Sequence, residues 1–312
     1  MKSRMKPRII ATRKSRLALW QTEHVRDELL AAHPDLALDL LPLSTRGDEV
    51  LDRSLADIGG KGLFLKELEQ AIVDGRADFA VHSLKDVPAR MPEGLVLAAW
   101  LPRADPADVW ITRDGTPIEK LPAGSRVGSS SLRRIRQLQA MRPDLEVVPL
   151  RGNVETRMKA VFDGRIDATI LAAAGVRRLG VEPSQALELP LESWLPAPGQ
   201  GVIAIECRED DRGLHGLLAA VSCDRTRTAV EAERAVVDRL GADCRMPLAA
   251  MARVAEGRVH LRARLGGPAG VLVDIELEGA AENADALGRE AAERLLAAGG
   301  ADILAELGVD AG

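Results

Sequence analysis

The chain of 312 residues has the size of two or three compact domains, and its 46% hydrophobic and 29% charged residues are the usual balance of a globular protein with a buried core. The net charge of −5 argues against a general nucleic-acid binder, and the longest apolar run, 95–101, is much shorter than the roughly 18 residues of a membrane span. The three cysteines do not have the spacing of metal ligands or of a disulfide framework. Because no secretory leader is recognisable, we expect a cytoplasmic protein with no metal, nucleic-acid or membrane partner.

Strand-like and helix-like segments alternate over the first two-thirds of the chain. In chain order the pattern predicts strand 8–13, a helix after Ser15, strand 38–43, helix 62–73, strands 78–82 and 95–100, a strand at Val127, helix 131–141, strand 146–150, helix 153–162 and strand 167–172. Such alternation is typical of parallel βαβ units, so the predicted fold class is α/β.

A short repeat indicates that two of the predicted domains are similar. Asp-Gly-Arg-Ala-Asp at 74–78 recurs as Asp-Gly-Arg-Ile-Asp at 163–167, each time between a predicted helix and a predicted strand. The segment 194–201 is predicted to be a linker, after which strand 202–206 returns to the first domain. Two chain crossings between similar domains predict a hinge with a cleft.

The pattern changes from Asp224 onward, where strands come in a run rather than alternating with helices. The predicted elements are helix 226–240, strands 248–254, 258–265 and 271–277, and helix 283–298, which indicate a small α+β domain. The predicted boundaries are therefore 1–101 plus 202–219 for domain 1, 106–195 for domain 2 and 224–312 for domain 3.

Arginine, which supplies most of the 42 basic residues, gathers where predicted strands end and helices begin, at 12–15, 128–134 and 150–157. A helix N-terminus carries free N–H groups and a partial positive charge, so these junctions are candidate anion sites. The alternative is that serine or asparagine simply caps each helix while the arginines are solvated. Arg133 and Arg134 argue against that alternative, because positive charge in a first helical turn opposes the macrodipole unless an anion is bound. The pattern favours a polyanionic small molecule.

Two further loops carry candidate chemistry. In 82–88, Asp86 follows a predicted strand and is either the surface partner of Lys85 or a carboxylate that faces a cation, whereas His82 is interpreted as a hydrogen-bonded structural residue. Cys207 is expected to be a packed core thiol. Cys244 lies in a loop, 241–247, where a neighbouring arginine and aspartate leave its reactivity undecided by charge alone.

Taken in order, these segments resemble the porphobilinogen deaminase family over essentially the whole chain. The matching stretches are Ala-Thr-Arg-Lys-Ser at 11–15, Gly-Gly-Lys-Gly-Leu-Phe at 59–64, His-Ser-Leu-Lys-Asp-Val-Pro at 82–88, Ser-Ser-Leu-Arg-Arg at 130–134, Leu-Arg-Gly-Asn at 150–153, Pro-Gly-Gln-Gly at 198–201 and the loop cysteine Cys244.

The resemblance implies two domains like those of type II periplasmic binding proteins, a small third domain, and a monomeric transferase. The implied activity is hydroxymethylbilane synthase, which condenses four porphobilinogen molecules head to tail with release of ammonia. Hydrolysis then frees the linear tetrapyrrole hydroxymethylbilane for haem biosynthesis. The implied cofactor is a dipyrromethane attached to Cys244 through a thioether.

The resemblance also assigns roles to individual residues, with Asp86 stabilising positive charge on the pyrrole nitrogens. The remaining assignments are Lys85, Ser131, Arg133, Arg134 and Arg151 for cofactor carboxylates, and Arg13, Ser15, Arg157 and Arg178 for incoming substrate. Two positions depart from the usual family pattern: Asp57 stands where many relatives have lysine, and Asp243 precedes the cysteine where glycine is usual.

Two other functions remain open on the sequence. A non-catalytic carboxylate-binding or sensor protein with two domains would explain the hinge and the arginines but gives Asp86 and Cys244 no role. A nucleic-acid-binding basic helix at 131–139 is disfavoured by the acidic net charge.

Overall fold

The structure of the protein is a computed structural model that describes residues 7–45, 65–242 and 246–308. The strands are β1 (Arg8–Arg13), β2 (Leu38–Leu43), β3 (Phe79–Ser83), β4 (Leu95–Trp100), β5 (Asp108–Thr112), β6 (Arg126–Gly128), β7 (Glu146–Val148), β8 (Ala168–Ala172), β9 (Leu187–Glu188), β10 (Ile203–Arg208), β11 (Leu248–Ala255), β12 (Arg258–Gly266) and β13 (Leu272–Ala280). The helices are α1 (Arg16–Ala32), α2 (Lys66–Val73), α3 (Leu132–Met141), α4 (Val154–Phe162), α5 (Ala173–Arg178), α6 (Arg212–Leu218), α7 (Asp224–Arg239), α8 (Ala284–Leu295) and α9 (Ala301–Glu306).

The chain divides into two compact units, and it passes between them after Arg103, after Gly201 and after Arg227. In the first unit the strand order is β2-β1-β3-β10-β4, with β1 parallel to β2 and β3 and with β10 antiparallel to both of its neighbours. In the second unit the order is β7-β6-β8-β5-β9, with the same alternation of parallel and antiparallel pairs. The predicted α/β class with two similar domains is confirmed.

β5 and β10 hold equivalent places in the two sheets. Each is the first strand after a chain crossing, and each lies antiparallel between a strand of the parallel set and an edge strand. The sequence pattern placed β10 in the first domain, and its pairing with β3 confirms this. The pattern missed β5, whose five residues are all buried and therefore show no alternation of polar and apolar side chains.

Local sequence explains where the helices that follow β1 and β7 begin. The side chain of Ser15 accepts a hydrogen bond from the Ala18 N–H at the start of α1, and that of Asn153 accepts one from the Thr156 N–H at the start of α4. These caps satisfy N–H groups that a helix cannot pair internally. Both helices therefore begin directly beyond the carboxyl end of a strand, where the predicted site lies.

The C-terminal segment folds as a small α+β domain, as predicted. β11, β12 and β13 form an antiparallel sheet, and α7 and α8 pack on it through a common apolar cluster that includes Val236, Leu261 and Leu295. Within the second unit the buried Arg264 joins this sheet to α3 and to the residue before the linker, because its Nη1 donates to Gln137 Oε1 at 2.9 Å and to the Ser193 carbonyl at 2.8 Å. The finer domain boundaries given above stay predictions. No helix within the described ranges has the length and apolarity to cross a membrane.

Candidate active site

Asp86 lies in a short 3-10 turn, Leu84–Asp86, at the carboxyl end of β3. Leu84 and Val87 are buried, whereas Lys85 and Asp86 between them are exposed. The Leu84 N–H donates to the Val202 carbonyl at 3.0 Å, and the Val87 N–H closes the turn on the Leu84 carbonyl at 3.0 Å. The lysine and the aspartate are thus presented to solvent from a turn that is anchored on both sides.

Side chains behind the turn anchor it further. The ring of His82 lies 2.8 Å from Glu206 Oε2, and both residues are buried. Gln21 of α1 donates from Nε2 to Ser83 Oγ at 2.9 Å. The interpretation of His82 as a hydrogen-bonded structural residue is confirmed.

Arg13 and Ser15 reach the same sheet edge as Lys85 and Asp86. They follow β1, which is the parallel neighbour of β3, and the carboxyl ends of adjacent parallel strands lie side by side. Ser15 Oγ accepts from the Ala18 N–H at 3.4 Å, so its hydroxyl also serves as the helix cap considered as the alternative. The first unit therefore brings four predicted site residues to one edge.

The second unit brings the loops that follow β6 and β7 together. The Ser129 N–H donates to the Val148 carbonyl at 3.0 Å, and Ser130 Oγ donates to the Leu150 carbonyl at 3.1 Å while accepting from the Leu150 N–H at 3.2 Å. Ser131 at the start of α3 and Arg151 after β7 therefore lie on two loops that hold each other.

Arg133 and Arg134 are buried, with 5% and 6% exposure, and both pair with the fully buried Asp108 of β5. The Arg134 contact is bidentate, at 3.2 Å from Nε to Oδ2 and 2.6 Å from Nη2 to Oδ1. Arg133 Nη1 lies 2.9 Å from Oδ2 and donates to the Leu195 carbonyl at 2.7 Å. From the sequence we expected that these arginines need the charge of a bound anion. The structure corrects this expectation, because Asp108 of the protein itself supplies one negative charge.

One carboxylate does not neutralise two guanidinium groups. Burial alone would raise the pKa of Asp108, but the charges of Arg133 and Arg134 outweigh burial and hold it far below its ordinary value. Burial lowers the pKa of Arg133, and repulsion from Arg134 adds to this effect. The three groups together keep one net positive charge in a buried place, which an additional anion would stabilise.

The two remaining predicted arginines lie on helices of the same unit. Arg157 donates from Nε to the Gly152 carbonyl at 2.8 Å, and Arg178 donates from Nη2 to the Gly201 carbonyl at 2.8 Å. Burial lowers the pKa of Arg178 to about 10, so it remains cationic at neutral pH. Gly152 has a φ of +108°, and a Cβ there would lie 2.8 Å from Thr156 Cγ2, so the turn itself requires glycine.

The cysteines can be followed only in part. Cys207 is buried on β10, and burial raises the pKa of its thiol to about 12, which confirms the predicted core thiol. Cys244, Asp243 and Asp57 lie outside the described residues.

Comparisons with known proteins agree with the resemblance seen in the sequence. Residues 9–216 match the family model described as porphobilinogen deaminase, dipyromethane cofactor binding domain, and residues 227–297 match the porphobilinogen deaminase C-terminal domain. Curated porphobilinogen deaminases are 53% identical in Xanthomonas axonopodis pv. citri, over 96% of this chain and 98% of the relative, and 49% identical in Chromobacterium violaceum, over 95% and 96%.

Solved structures with a similar chain course include two single domains. They are the BenM effector-binding domain with benzoate, 14% identical over 70% of this chain and 91% of that one with a TM-score of 0.42, and the BvgS VFT2 domain of Bordetella pertussis, 18% identical over 68% and 86% with a TM-score of 0.41.

The two family models cover most of the chain, and the curated relatives match nearly all of it at about half identity. The predicted transferase activity and dipyrromethane cofactor are confirmed by these matches, and the sensor and nucleic-acid alternatives are set aside. The chain belongs to the porphobilinogen deaminase family, the transferases that assemble a linear tetrapyrrole on a dipyrromethane cofactor.

Proposed function

We propose that Asp86 is the catalytic carboxylate of this chain and that its arginines bind the carboxylates of substrate and cofactor. The reaction is the condensation of four porphobilinogen molecules to hydroxymethylbilane with release of ammonia. The observation that carries the assignment to Asp86 is its position: an exposed carboxylate on a turn whose flanking side chains are buried, at the carboxyl end of a strand.

The donor set of the described residues fits a dipyrromethane. Its acetate and propionate groups need cationic hydrogen-bond donors, and the buried cluster of Asp108, Arg133 and Arg134 retains one positive charge that an anion would stabilise. We assign Lys85, Ser131, Arg133, Arg134 and Arg151 to the cofactor carboxylates and Cys244 to its attachment. When bound, the cofactor supplies the pyrrole end to which the first substrate is joined.

Incoming porphobilinogen is assigned to Arg13, Ser15, Arg157 and Arg178. Its acetate and propionate are neutralised by guanidinium groups, whose planar forks bind carboxylates in a defined orientation. Arg178 suits this role because it is partly desolvated, and a desolvated cation binds an anion more strongly than a solvated one does. Its hydrogen bond to the Gly201 carbonyl holds its guanidinium group in place.

Asp86 acts on charge that exists only during the reaction. When the aminomethyl C–N bond of porphobilinogen breaks, ammonia leaves and positive charge spreads to the pyrrole nitrogen. When the new C–C bond forms, the attacking ring carries positive charge until it loses its α-proton. A fixed carboxylate near these nitrogens stabilises both situations more than the ground state, which lowers the barrier.

The charge of Asp86 can be tested without changing its shape. Asp86→Asn keeps a hydrogen-bonding oxygen, so we expect the variant to retain its cofactor while turnover falls roughly 100-fold or more, as for other preorganised electrostatic groups. Asp86→Glu keeps the charge but displaces it by one methylene, so it should retain more activity than the asparagine variant. Product formation and cofactor mass are measured for both.

The exposed Asp35, on the turn between α1 and β2, provides a matched control, and Asp35→Asn should turn over like the wild type. Wild-type turnover in Asp86→Asn would show that the charge has no catalytic role and that Asp86 is only a surface residue beside Lys85. Loss of cofactor in Asp86→Asn would assign the residue to cofactor binding instead.

We also propose that the chain acts as a monomer in the cytoplasm, as the family resemblance implies. Light scattering of the purified protein tests the first point, since a mass near 33.4 kDa is expected for a single chain and twice that value would contradict it. Fractionation of the source cell tests the second.

A further inference from the structure

Asp108 accepts hydrogen bonds from three buried side chains and forms an ion pair with a fourth. Oδ1 accepts from Arg134 Nη2 at 2.6 Å and from Gln200 Nε2 at 2.9 Å. Oδ2 accepts from Arg134 Nε at 3.2 Å and from Trp194 Nε1 at 2.9 Å, and it lies 2.9 Å from Arg133 Nη1. All five residues are buried, and all belong to the second unit.

The donors to Asp108 come from two parts of that unit. Arg133 and Arg134 belong to the first turn of α3, whereas Trp194 and Gln200 lie in the linker that precedes β10. Gln200 Nε2 also donates to the Pro106 carbonyl at 2.7 Å, just before β5. A single buried charge therefore joins the two arginines to the linker and, through Gln200, to the segment just before β5.

The two arginines use their donors differently. Arg134 donates from Nε and Nη2 to Asp108 and from Nη1 to the Ile170 carbonyl at 2.9 Å. Arg133 engages only Nη1, which Asp108 and the Leu195 carbonyl share, and its other nitrogens have no hydrogen bond to any residue within 7–45, 65–242 or 246–308. Asp108 thus holds Arg133 through Nη1 alone, and the Nε and Nη2 atoms of the guanidinium group remain available to a ligand.

We propose that Asp108 is a positioning residue for the cofactor: its charge holds Arg133 and Arg134 in the orientation that binds a cofactor carboxylate. The inference rests on the proposed role of these arginines. Asparagine cannot replace Asp108, because either orientation of its amide places an NH₂ group against at least two donors. Asp108→Asn therefore breaks part of this hydrogen-bond set and removes the negative charge that Arg133 and Arg134 share.

The first test compares cofactor assembly in folded protein. Full-length chains made in cells that lack porphobilinogen are titrated with porphobilinogen, and the added cofactor mass is followed by mass spectrometry of the intact protein. In Asp108→Asn, shown to be folded by circular dichroism, we expect the half-saturating porphobilinogen concentration to rise about tenfold or more. A purely structural role would lower the unfolding midpoint and leave this concentration unchanged.

Trp194→Phe is the matched control, because it removes one hydrogen bond to Oδ2 and leaves both arginine pairs in place. It should lower stability while loading cofactor at the wild-type concentration. Arg133→Leu separates the two proposals. If it loads like the wild type, the proposed cofactor role of Arg133 fails; if it loads poorly while folded Asp108→Asn loads normally, only the positioning role fails.

A second pair of variants decides the question if Asp108→Asn does not fold. Arg134→Met keeps the Asp108–Arg133 pair, whereas the double variant Asp108→Asn with Arg134→Met loses it but returns the buried cluster to one net positive charge. Both lack Arg134, and the double variant has the more positive cluster, so poorer loading of the double variant reports the loss of the Asp108–Arg133 pair. We expect the double variant to need about tenfold more porphobilinogen, and equal loading would overturn the proposal.

Discussion

At the scale of single residues, Asp108, Arg133 and Arg134 form a buried charged cluster in the second unit. Adjacent arginines at a helix start correctly indicated a place in need of negative charge. The partner Asp108 could not be found in the same way, because it lies 26 residues from Arg134 in the chain and reaches it only through the sheet. An acid that opens an apolar run, Asp-Val-Trp-Ile-Thr, was the available signal, since a carboxylate there needs a buried cation.

Glu69 on α2 allows a prediction about pH and stability. Burial raises the pKa of Glu69 above 4.5, and repulsion from Glu206 adds to this, against smaller opposing effects of His82 and Lys66. A carboxyl with a raised pKa in the folded state favours folding while protonated, and this contribution is lost as the pH rises through the folded pKa. Glu69→Gln removes the ionisation, so we expect the variant to gain stability relative to wild type as the pH rises from about 4.5 to 7.

Urea unfolding at several pH values between about 4.5 and 7 measures this difference. Glu28→Gln on α1 is a suitable control, because Glu28 is exposed and its variant should follow the wild type at every pH. A constant difference between Glu69→Gln and wild type across the range would show that Glu69 does not titrate as the burial of its carboxyl implies.

At the scale of elements, three strands were predicted with the bounds that the structure shows. β1, β2 and β4 begin and end where the pattern placed them, because each is bounded by clear turn or helix signals. β5 was missed since it is buried throughout and follows the proline-containing segment 102–106. The pairing of the antiparallel β5 with β8 is a contact between distant parts of the chain, which periodicity alone cannot reveal.

The segment 102–106, which precedes β5, approaches the end of the linker closely at Gly201. Its φ is +88°, and a Cβ there would lie 2.5 Å from the Ala104 carbonyl oxygen. Gly201→Ala therefore combines backbone strain with a clash against main chain, and we expect it to destabilise the protein by about 2 kcal/mol or more. Thermal and urea unfolding provide the measurement.

Gly180→Ala isolates the contribution of the clash. Gly180 also has a positive φ, +64°, but a Cβ there would meet no atom within 4 Å. It should cost only the strain of the left-handed conformation, about 1 kcal/mol. Equal losses in the two variants would show that the approach of Gly201 to Ala104 contributes nothing to stability.

For the whole molecule, the short repeat in the sequence predicted two similar domains, but it did not predict the order of the strands in their sheets. The recurring helix-to-strand turns at 74–78 and 163–167 precede β3 and β8, which hold equivalent places in the two sheets. The insertion of β10 between β3 and β4 joins segments more than 100 residues apart, as the His82–Glu206 contact shows with its separation of 124. The sequence therefore predicted most of the elements, although not β5, and the long-range pairings decided their arrangement.

The last prediction concerns the covalent attachment of the cofactor to Cys244. A thioether forms from a thiolate, and serine does not supply an equivalent nucleophile at neutral pH. Cys244→Ser should therefore give folded protein that lacks the mass of the dipyrromethane and has no activity. Intact-protein mass spectrometry and circular dichroism of the variant provide the measurements.

The other two thiols make this test discriminating. Cys207 is buried with a pKa of about 12, so Cys207→Ser should retain the cofactor. Cys223 is the stronger rival, because a hydrogen bond with the Thr226 side chain lowers the pKa of its thiol and favours the thiolate, although burial opposes this. If Cys223 were the attachment site, Cys223→Ser would lose the cofactor mass and Cys244→Ser would keep it. We expect the reverse, since the family resemblance places the attachment on the loop cysteine Cys244.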